Sequence, residues 1–259
     1  MPLPKLYNDD GDGFIVIAHR GASADFPENT MPAFEAAVER GAEMIELDVL
    51  MSRDGVPVVF HDARLNRHTD GAGPLADHSL EQLRELDAGS WFGERFAGTK
   101  IPTLEEVVRW ARGKIALNLE IKTGAVGEKP RGGVEEKAAE LVREYGMEEH
   151  VIFSSFDYRA VRRFKRISPD LSVALLYNRG LSGDKSPSHL VSEYGVDAFN
   201  CSYTQLSDKR LKNLKEYGIP FLVYTVDSPR RMRRLIRRGA AGIFSNKPGL
   251  LREVAEEVR

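Results

Sequence analysis

What most restricts the fold of this chain is a regular exchange between short apolar runs and amphipathic stretches. Phe14-Ile15-Val16-Ile17-Ala18 suits a buried strand, and Pro27-Glu28-Asn29-Thr30 opens a helix that runs to about Glu39, with Asn29 or Thr30 as its cap and Gly41 as its stop. A strand follows within Ala42–Leu50. Thr103 caps a helix to about Arg112, and a strand over 115–121 comes next. The alternation then continues as helix 134–145, strand 151–155, helix 157–167, strand 172–177, helix 187–194 and strand 197–200. It ends with helix 207–217, strand 220–226, helix 229–238, strand 242–245 and a last helix from about 249. Strands separated by helices pair in parallel through crossovers. Eight such units in 259 residues favour an α/β fold of the closed (β/α)8 kind over an open doubly wound sheet. With no linker, strong repeat or low-complexity tract, a single domain over 1–259 is expected.

Two strands carry a pattern that packing does not explain. In the first, Ile45, Leu47 and Val49 alternate with Met44, Glu46 and Asp48, so a period of two places both carboxylates on one face. Acids this close raise each other's pKa unless a cation neutralises them, which points to a bound metal or a strongly basic ligand. In the second, Ile115, Leu117, Leu119 and Ile121 alternate with a face that bears Asn118, Glu120 and Lys122. A barrel wrapped by helices turns its apolar face outward and places polar groups inward where strands end, and sites on this fold form at the C-terminal ends of the strands. His19 and Arg20 end the first strand, Asp48 lies near the end of the second, His61 follows it after Val56–Phe60, and Glu120 and Lys122 end the third. They converge on one mouth.

Taken singly these residues have plain structural readings: a satisfied strand-end histidine, a Glu46/Asp48 ion pair with Arg or Lys, a solvated Lys122. The convergence is what carries weight. Three carboxylates offer hard oxygen ligands that suit Mg²⁺ or Ca²⁺ better than zinc. Two histidines, Arg20 and Lys122 around such a cation suit an anionic substrate, with phosphate the obvious candidate and the histidines able to share base and acid roles. Residues 62–100, rich in Gly, Asp and His, carry at most one short helix near Ser79–Leu86. A loop segment of that length is usually functional or disordered. Within it, Asp70-Gly71-Ala72-Gly73 reads as a turn, because it lacks the Lys-Ser/Thr and the strand-to-helix setting of a phosphate loop. His68 and His78 are expected at the surface.

Bulk properties exclude some classes of function. At 42% hydrophobic and 29% charged residues the composition is that of a soluble globular protein, and a net charge of −2 gives no general attraction to nucleic acid or an anionic membrane. The basic cluster Arg230-Arg231, Arg233-Arg234 and Arg237-Arg238 reads as the solvated face of one helix. A single Cys201 allows no disulfide within the chain, and cytoplasm is the expected compartment. No segment approaches the roughly 20 apolar residues needed to cross a bilayer, and Met1–Asp10 lacks the apolar core of a signal peptide. The sequence leaves oligomeric state open.

Seen together, His19-Arg20-Gly21, Pro27-Glu28-Asn29-Thr30, Glu46-Leu47-Asp48-Val49, His61-Asp62, Asp87-Ala88-Gly89-Ser90-Trp91-Phe92, Ile101-Pro102-Thr103-Leu104-Glu105-Glu106 and Asn118-Leu119-Glu120-Ile121-Lys122 resemble the glycerophosphodiester phosphodiesterase family, in order and over nearly the whole chain. The resemblance implies a TIM barrel with a small insertion after the second strand, about residues 62–100, and hydrolysis of glycerophosphodiesters to glycerol 3-phosphate and an alcohol. It also implies that Glu46, Asp48 and Glu120 hold one divalent cation, that His19 and His61 form the acid/base pair, and that Arg20 and Lys122 contact phosphate. Tyr224-Thr225-Val226-Asp227 stands where the family has a Trp-Thr-Val-Asn type sequence, and Ser245-Asn246-Lys247-Pro248 where Thr-Asp-x-Pro is usual. Those positions are expected to face the far side of the mouth and to bear on the leaving group. A lysophospholipase D of the same barrel type, using Trp91, Phe92 and Phe96 near the mouth, is the nearest rival. A non-catalytic barrel that binds phosphate esters is the more distant one. Soluble head-group esters are the expected substrates, with little discrimination among head groups.

Overall fold

The computed structural model describes residues 13–128 and 132–258. The N-terminal leader, residues 1–12, lies outside them. The branched apolar runs form β1 (Ile15–His19), β2 (Met44–Met51), β4 (Ala116–Ile121), β5 (Val151–Ser155), β6 (Ser172–Leu176), β7 (Ala198–Ser202), β8 (Phe221–Tyr224) and β9 (Gly242–Ser245). These eight pair in parallel, in sequence order, and the pairing of β1 with both β2 and β9 closes the barrel. The remaining strand, β3 (Pro57–Val59), is antiparallel to the far end of β2, with Val49 opposite Val59 and Met51 opposite Pro57. That hairpin explains why β2 runs three residues past Asp48, and why His61 arrives beside the mouth.

Which face of each strand points inward follows from packing. Ile15, Ile17, Met44, Ala116, Ile152, Ala174, Ala198, Leu222 and Phe244 form one buried cluster drawn from all eight barrel strands, so they fill the interior. Val16, Ile45, Leu47, Leu117 and Leu119, in the opposite phase, join the larger core under the helices. Two or four residues beyond the interior cluster, on the same face, come His19, Glu46, Asp48, Asn118, Glu120, Ser154, Leu176 and Tyr224. The register sets them at matching heights: His19 lies opposite Glu46, Glu46 opposite Asn118 and Asp48 opposite Glu120.

The outer layer is α1 (Met31–Glu39), α3 (Leu104–Ala111), α4 (Val134–Glu144), α5 (Tyr158–Ile167), a single turn α6 (Arg179–Ser182), α7 (Pro187–Tyr194), α8 (Asp208–Glu216), α9 (Pro229–Arg237) and α10 (Pro248–Val258). Thr103 caps α3 as expected, in a capping box with Glu106. Thr30 precedes α1 in the cap position, but its side chain makes no cap bond and donates instead to the Pro27 carbonyl at 2.6 Å. The basic helix α9 buries Met232 and Leu235 and leaves Arg230, Arg231, Arg234 and Arg237 outward. Cys201 is buried and free. Among the described residues, no helix is long and apolar enough to cross a membrane.

Between β3 and α3 the chain holds one short helix, α2 (Leu80–Glu85), capped by Ser79 in a box with Gln82, and three isolated 3-10 turns at Leu65–Arg67, Leu75–Asp77 and Glu94–Phe96. Trp91, Phe92, Phe96 and Phe26 meet in succession, edge-to-face or tilted, at centroid distances of 5.4–5.6 Å. The aromatics of this segment therefore pack on one another beside the mouth.

Candidate active site

A cavity of about 210 Å³ opens at the C-terminal ends of the strands and is lined by His19, Arg20, Glu46, His61, Glu120, Lys122, Ser154, Phe156, Leu176, Tyr224, Thr225 and Phe244. Six of the seven residues singled out from the sequence lie on that lining. The seventh, Asp48, is wholly buried just behind it. One oxygen from each of Glu46, Asp48 and Glu120 can be chosen so that all three lie within 4.8 Å of one another.

These carboxylates face two fixed cations. Lys122 Nζ lies 3.1 Å from Asp48 Oδ1 and 2.8 Å from Glu120 Oε1, and Arg20 Nε lies 3.1 Å from Asp48 Oδ2. Burial together with the neighbouring Asp48 charge pushes Glu46 up to about 8 and Glu120 up to about 7. Burial acts on Asp48 in the same sense, but Lys122 and Arg20 outweigh it and hold that carboxyl below its ordinary value. With all three acids ionised, two cations leave a deficit of positive charge. The donor set, all carboxylate oxygen, fits a hard divalent cation.

Backbone geometry holds the cluster in place. Arg20 has φ 55°, an uncommon left-handed value, and its N–H donates to Glu46 Oε2 at 3.0 Å and to the Glu46 carbonyl at 2.8 Å. Gly21 follows at φ 83°, where a Cβ would lie 2.7 Å from Ala33, so no other residue fits this turn. Asn29 is the second non-glycine with positive φ, at 58°. Its side chain donates to Asp48 Oδ2 at 2.8 Å and accepts from the Asp48 N–H at 3.2 Å. Asn29 thus anchors the deepest acid and does not cap α1.

Each histidine is held through Nδ1. His19 Nδ1 is 2.7 Å from Asn246 Oδ1, and the Asn246 amide in turn donates to Asp227 Oδ2 at 2.7 Å. The Asn246 position, expected to bear on the leaving group from the far side of the mouth, therefore reaches the first strand: Asn246 touches His19 directly and Asp227 fixes Asn246. His61 Nδ1 is 2.7 Å from Asp62 Oδ1. Burial lowers the pKa of both imidazoles, with Arg20 adding to the effect on His19.

His68 departs further from expectation. It is 5% exposed, its ring tilted against Trp91 at a centroid distance of 4.3 Å, and its Nδ1 lies 3.2 Å from Asp62 Oδ2. A histidine between a capless 3-10 turn and a glycine-rich turn gives no periodic signal of burial, which is why it read as a surface residue. His78 is half-buried and donates to the Pro74 carbonyl at 2.9 Å. Glu28, unmarked beyond its place in a motif, accepts from Arg20 Nη1 at 2.8 Å. Ser154, Leu176, Tyr224 and Phe244 were discoverable from the alternation of their strands, since they continue the inward phase.

The sequence profile of the glycerophosphoryl diester phosphodiesterase family matches residues 19–250. A glycerophosphodiester phosphodiesterase of Caldanaerobacter subterraneus is 40% identical over 238 residues, covering 92% of this chain and 96% of its own length. One from Bacillus subtilis is 33% identical, covering 94% and 87%. The crystal structure of glycerophosphodiester phosphodiesterase from Agrobacterium tumefaciens superposes with a TM-score of 0.80 at 29% identity, covering 92% of this chain and 98% of that one. An Oleispira antarctica phosphodiesterase, solved in complex with its product sn-glycerol 3-phosphate, gives 0.79 at 29% identity, covering 93% and 96%. With the closed barrel and the clustered mouth, these matches establish that the chain belongs to the glycerophosphoryl diester phosphodiesterase family, a family of phosphoric diester hydrolases.

Proposed function

We propose that this protein hydrolyses glycerophosphodiesters to sn-glycerol 3-phosphate and an alcohol, working as one domain over 1–259 in the cytoplasm on small soluble esters. The observation that carries this reading is the meeting of two imidazoles, two fixed cations and three carboxylates around one cavity. Glu46, Asp48 and Glu120 would hold one divalent cation, Mg²⁺ or Ca²⁺, which when bound polarises a phosphoryl oxygen and offsets charge in the transition state. Arg20 and Lys122 grip the phosphate. Lys122 pays no proton penalty for this, since Asp48 and Glu120 overcome burial and keep it charged.

His19 and His61 move the protons. With Nδ1–H of each given to an oxygen, Nε2 is the nitrogen left for chemistry. Their partners differ in charge. The Asp62 carboxylate stabilises an imidazolium better than the Asn246 amide does, so His61 suits the acid that protonates the departing oxygen and His19 the base that deprotonates the attacking hydroxyl. The apolar side of the cavity, Phe156, Leu176, Tyr224 and Phe244, excludes water around them.

The test is direct. Purified protein should convert glycerophosphocholine to glycerol 3-phosphate and choline, lose that activity on dialysis against a chelator, and regain it with Mg²⁺ or Ca²⁺. Absence of turnover with either ion would overturn the function, and full activity after chelation would overturn the metal assignment.

A further inference from the structure

His68 is a buried histidine that the proposed chemistry does not use, yet its contacts lead to two groups that it does. Nδ1 of His68 faces Asp62 Oδ2 at 3.2 Å and Glu28 Oε1 at 3.8 Å. Both partners accept, so Nδ1 is the protonated nitrogen. The other oxygen of Asp62 receives His61 Nδ1 at 2.7 Å, and the same Glu28 oxygen receives Arg20 Nη1 at 2.8 Å. The imidazole is itself held by rings: Trp91 lies 4.3 Å away at 55° and Phe60 6.4 Å away at 73°. Trp91 is fixed in turn by a bond from its Nε1 to the Ala88 carbonyl at 2.9 Å.

A carboxylate engaged through one oxygen can rotate about its terminal torsion, which is broad. Asp62 Oδ1 holds His61 Nδ1 at 2.7 Å, so such rotation would shift the partner that aims the His61 ring. An imidazole Nδ1–H brought to 3.2 Å from the second oxygen, as an ion-pair contact, restrains the carboxylate plane. We propose that His68 is a positioning residue for the diester hydrolysis, acting through Asp62 on the aim of His61 Nε2, with a weaker contact to the Glu28 that holds Arg20. Trp91 and the turn that carries it are thereby tied to the chemistry without lining the cavity. The proposal rests on the phosphodiesterase reading for what His61 does, but the contact itself does not.

The variant His68→Phe keeps an aromatic ring against Trp91 and removes the donor. In the metal-loaded enzyme with glycerophosphocholine, kcat should fall about 10–100-fold, the usual cost of losing an orienting partner, with KM within about threefold. The same substitution in an Asp62→Ala background should cost less than about threefold, because the route to His61 is already cut. His68→Asn, which returns an N–H close to the lost Nδ1, should recover at least several-fold over Phe. Wild-type kcat for His68→Phe, an undiminished cost in the Asp62→Ala background, or Asn no better than Phe would each overturn the proposal. Should the Phe variant not fold, ¹⁵N NMR of the wild type decides: a protonated Nδ1 on His68 supports the contact, and a bare Nδ1 overturns it. That measurement also separates the two readings, since a chain without turnover defeats the function while the His68 signal still reports the contact.

Discussion

The two halves of the mouth are built from the same inward phase of the same barrel, yet they share almost no chemistry. From β1, β2 and β4 and the chain just beyond them come His19, Arg20, Glu46, Asp48, His61, Glu120 and Lys122; ion pairs and hydrogen bonds tie Arg20 and Lys122 to the three acids, while the histidines are held by Asn246 and Asp62. From β5 to β9 come Ser154, Phe156, Leu176, Tyr224 and Phe244, arranged as an aromatic wall with Phe156–Tyr224 at 5.9 Å and Tyr224–Phe244 at 6.2 Å. Burial raises the Tyr224 phenol further from ionisation, so this wall stays neutral. The difference teaches a division of labour. On the function proposed above, charges concentrated on one side would act on a phosphate, and the neutral side would lower the local dielectric that makes those charges effective. Substitutions on the two sides should therefore fail in different ways.

The largest effect belongs to the charged half. His19→Ala and His61→Ala should each lower kcat by about 10²–10⁴-fold, and the double variant should be little worse than either single one. Wild-type turnover in either single variant would take that histidine out of the mechanism and blur the boundary between the halves.

That boundary was partly legible before any coordinates. Period-two alternation through Glu46, Asp48 and Glu120 fixed which side chains share a face, and one rule about strand ends gathered His19, Arg20, His61 and Lys122. It worked because alternation is a local property of a strand. Groups that hold those residues escaped it, because long-range contacts place them. Asn29 read as a helix cap and turned out to grip Asp48 from nineteen positions away in the chain. Asn246 reaches His19 across 227 positions, a pairing that exists only because β9 closes the barrel on β1. His68 sits in irregular chain where no periodicity speaks. The single-turn helix α6 was likewise too short to leave a pattern.

The neutral half predicts a smaller, differently shaped effect. Tyr224→Ala should raise KM for glycerophosphocholine by about tenfold or less with kcat nearly kept, since a wall contributes binding shared by substrate and transition state. Its native shape should also favour soluble esters such as glycerophosphocholine and glycerophosphoethanolamine over lysophospholipids in kcat/KM, measured below the lipid's critical micelle concentration. The packing of Trp91, Phe92 and Phe96 on one another buries Phe96 but leaves Trp91 39% exposed, so Trp91 is the ring of the three with most surface to offer an acyl chain. A clear preference for the acylated substrate would recast the wall as an acyl site and favour the lysophospholipase D reading.

The smallest effect lies behind the charged half, in the turn that carries Trp91. Asp87 accepts from the Gly89 and Ser90 N–H groups at 2.7 and 2.9 Å through one oxygen, and from Ser90 Oγ and the Gly98 N–H at 2.6 and 2.7 Å through the other. The Ser90 hydroxyl, then the Gly98, Ser90 and Gly89 amides, hold its carboxyl well below the usual range. A depressed folded-state pKa contributes stability that is present above the unfolded value of about 3.9 and is lost as pH falls through the folded one. Asp87→Ala should thus lower Tm by on the order of 2–4 °C at neutral pH, the response of a protein this size to about 1 kcal/mol, with kcat changed less than about threefold. The gap in Tm between wild type and variant should hold from pH 7 to about pH 4 and narrow below that. If the gap instead widened on acidification, Asp87 would be stabilising the turn as a neutral acid. If kcat fell as far as it does for the histidine variants, the turn would belong to the charged half itself.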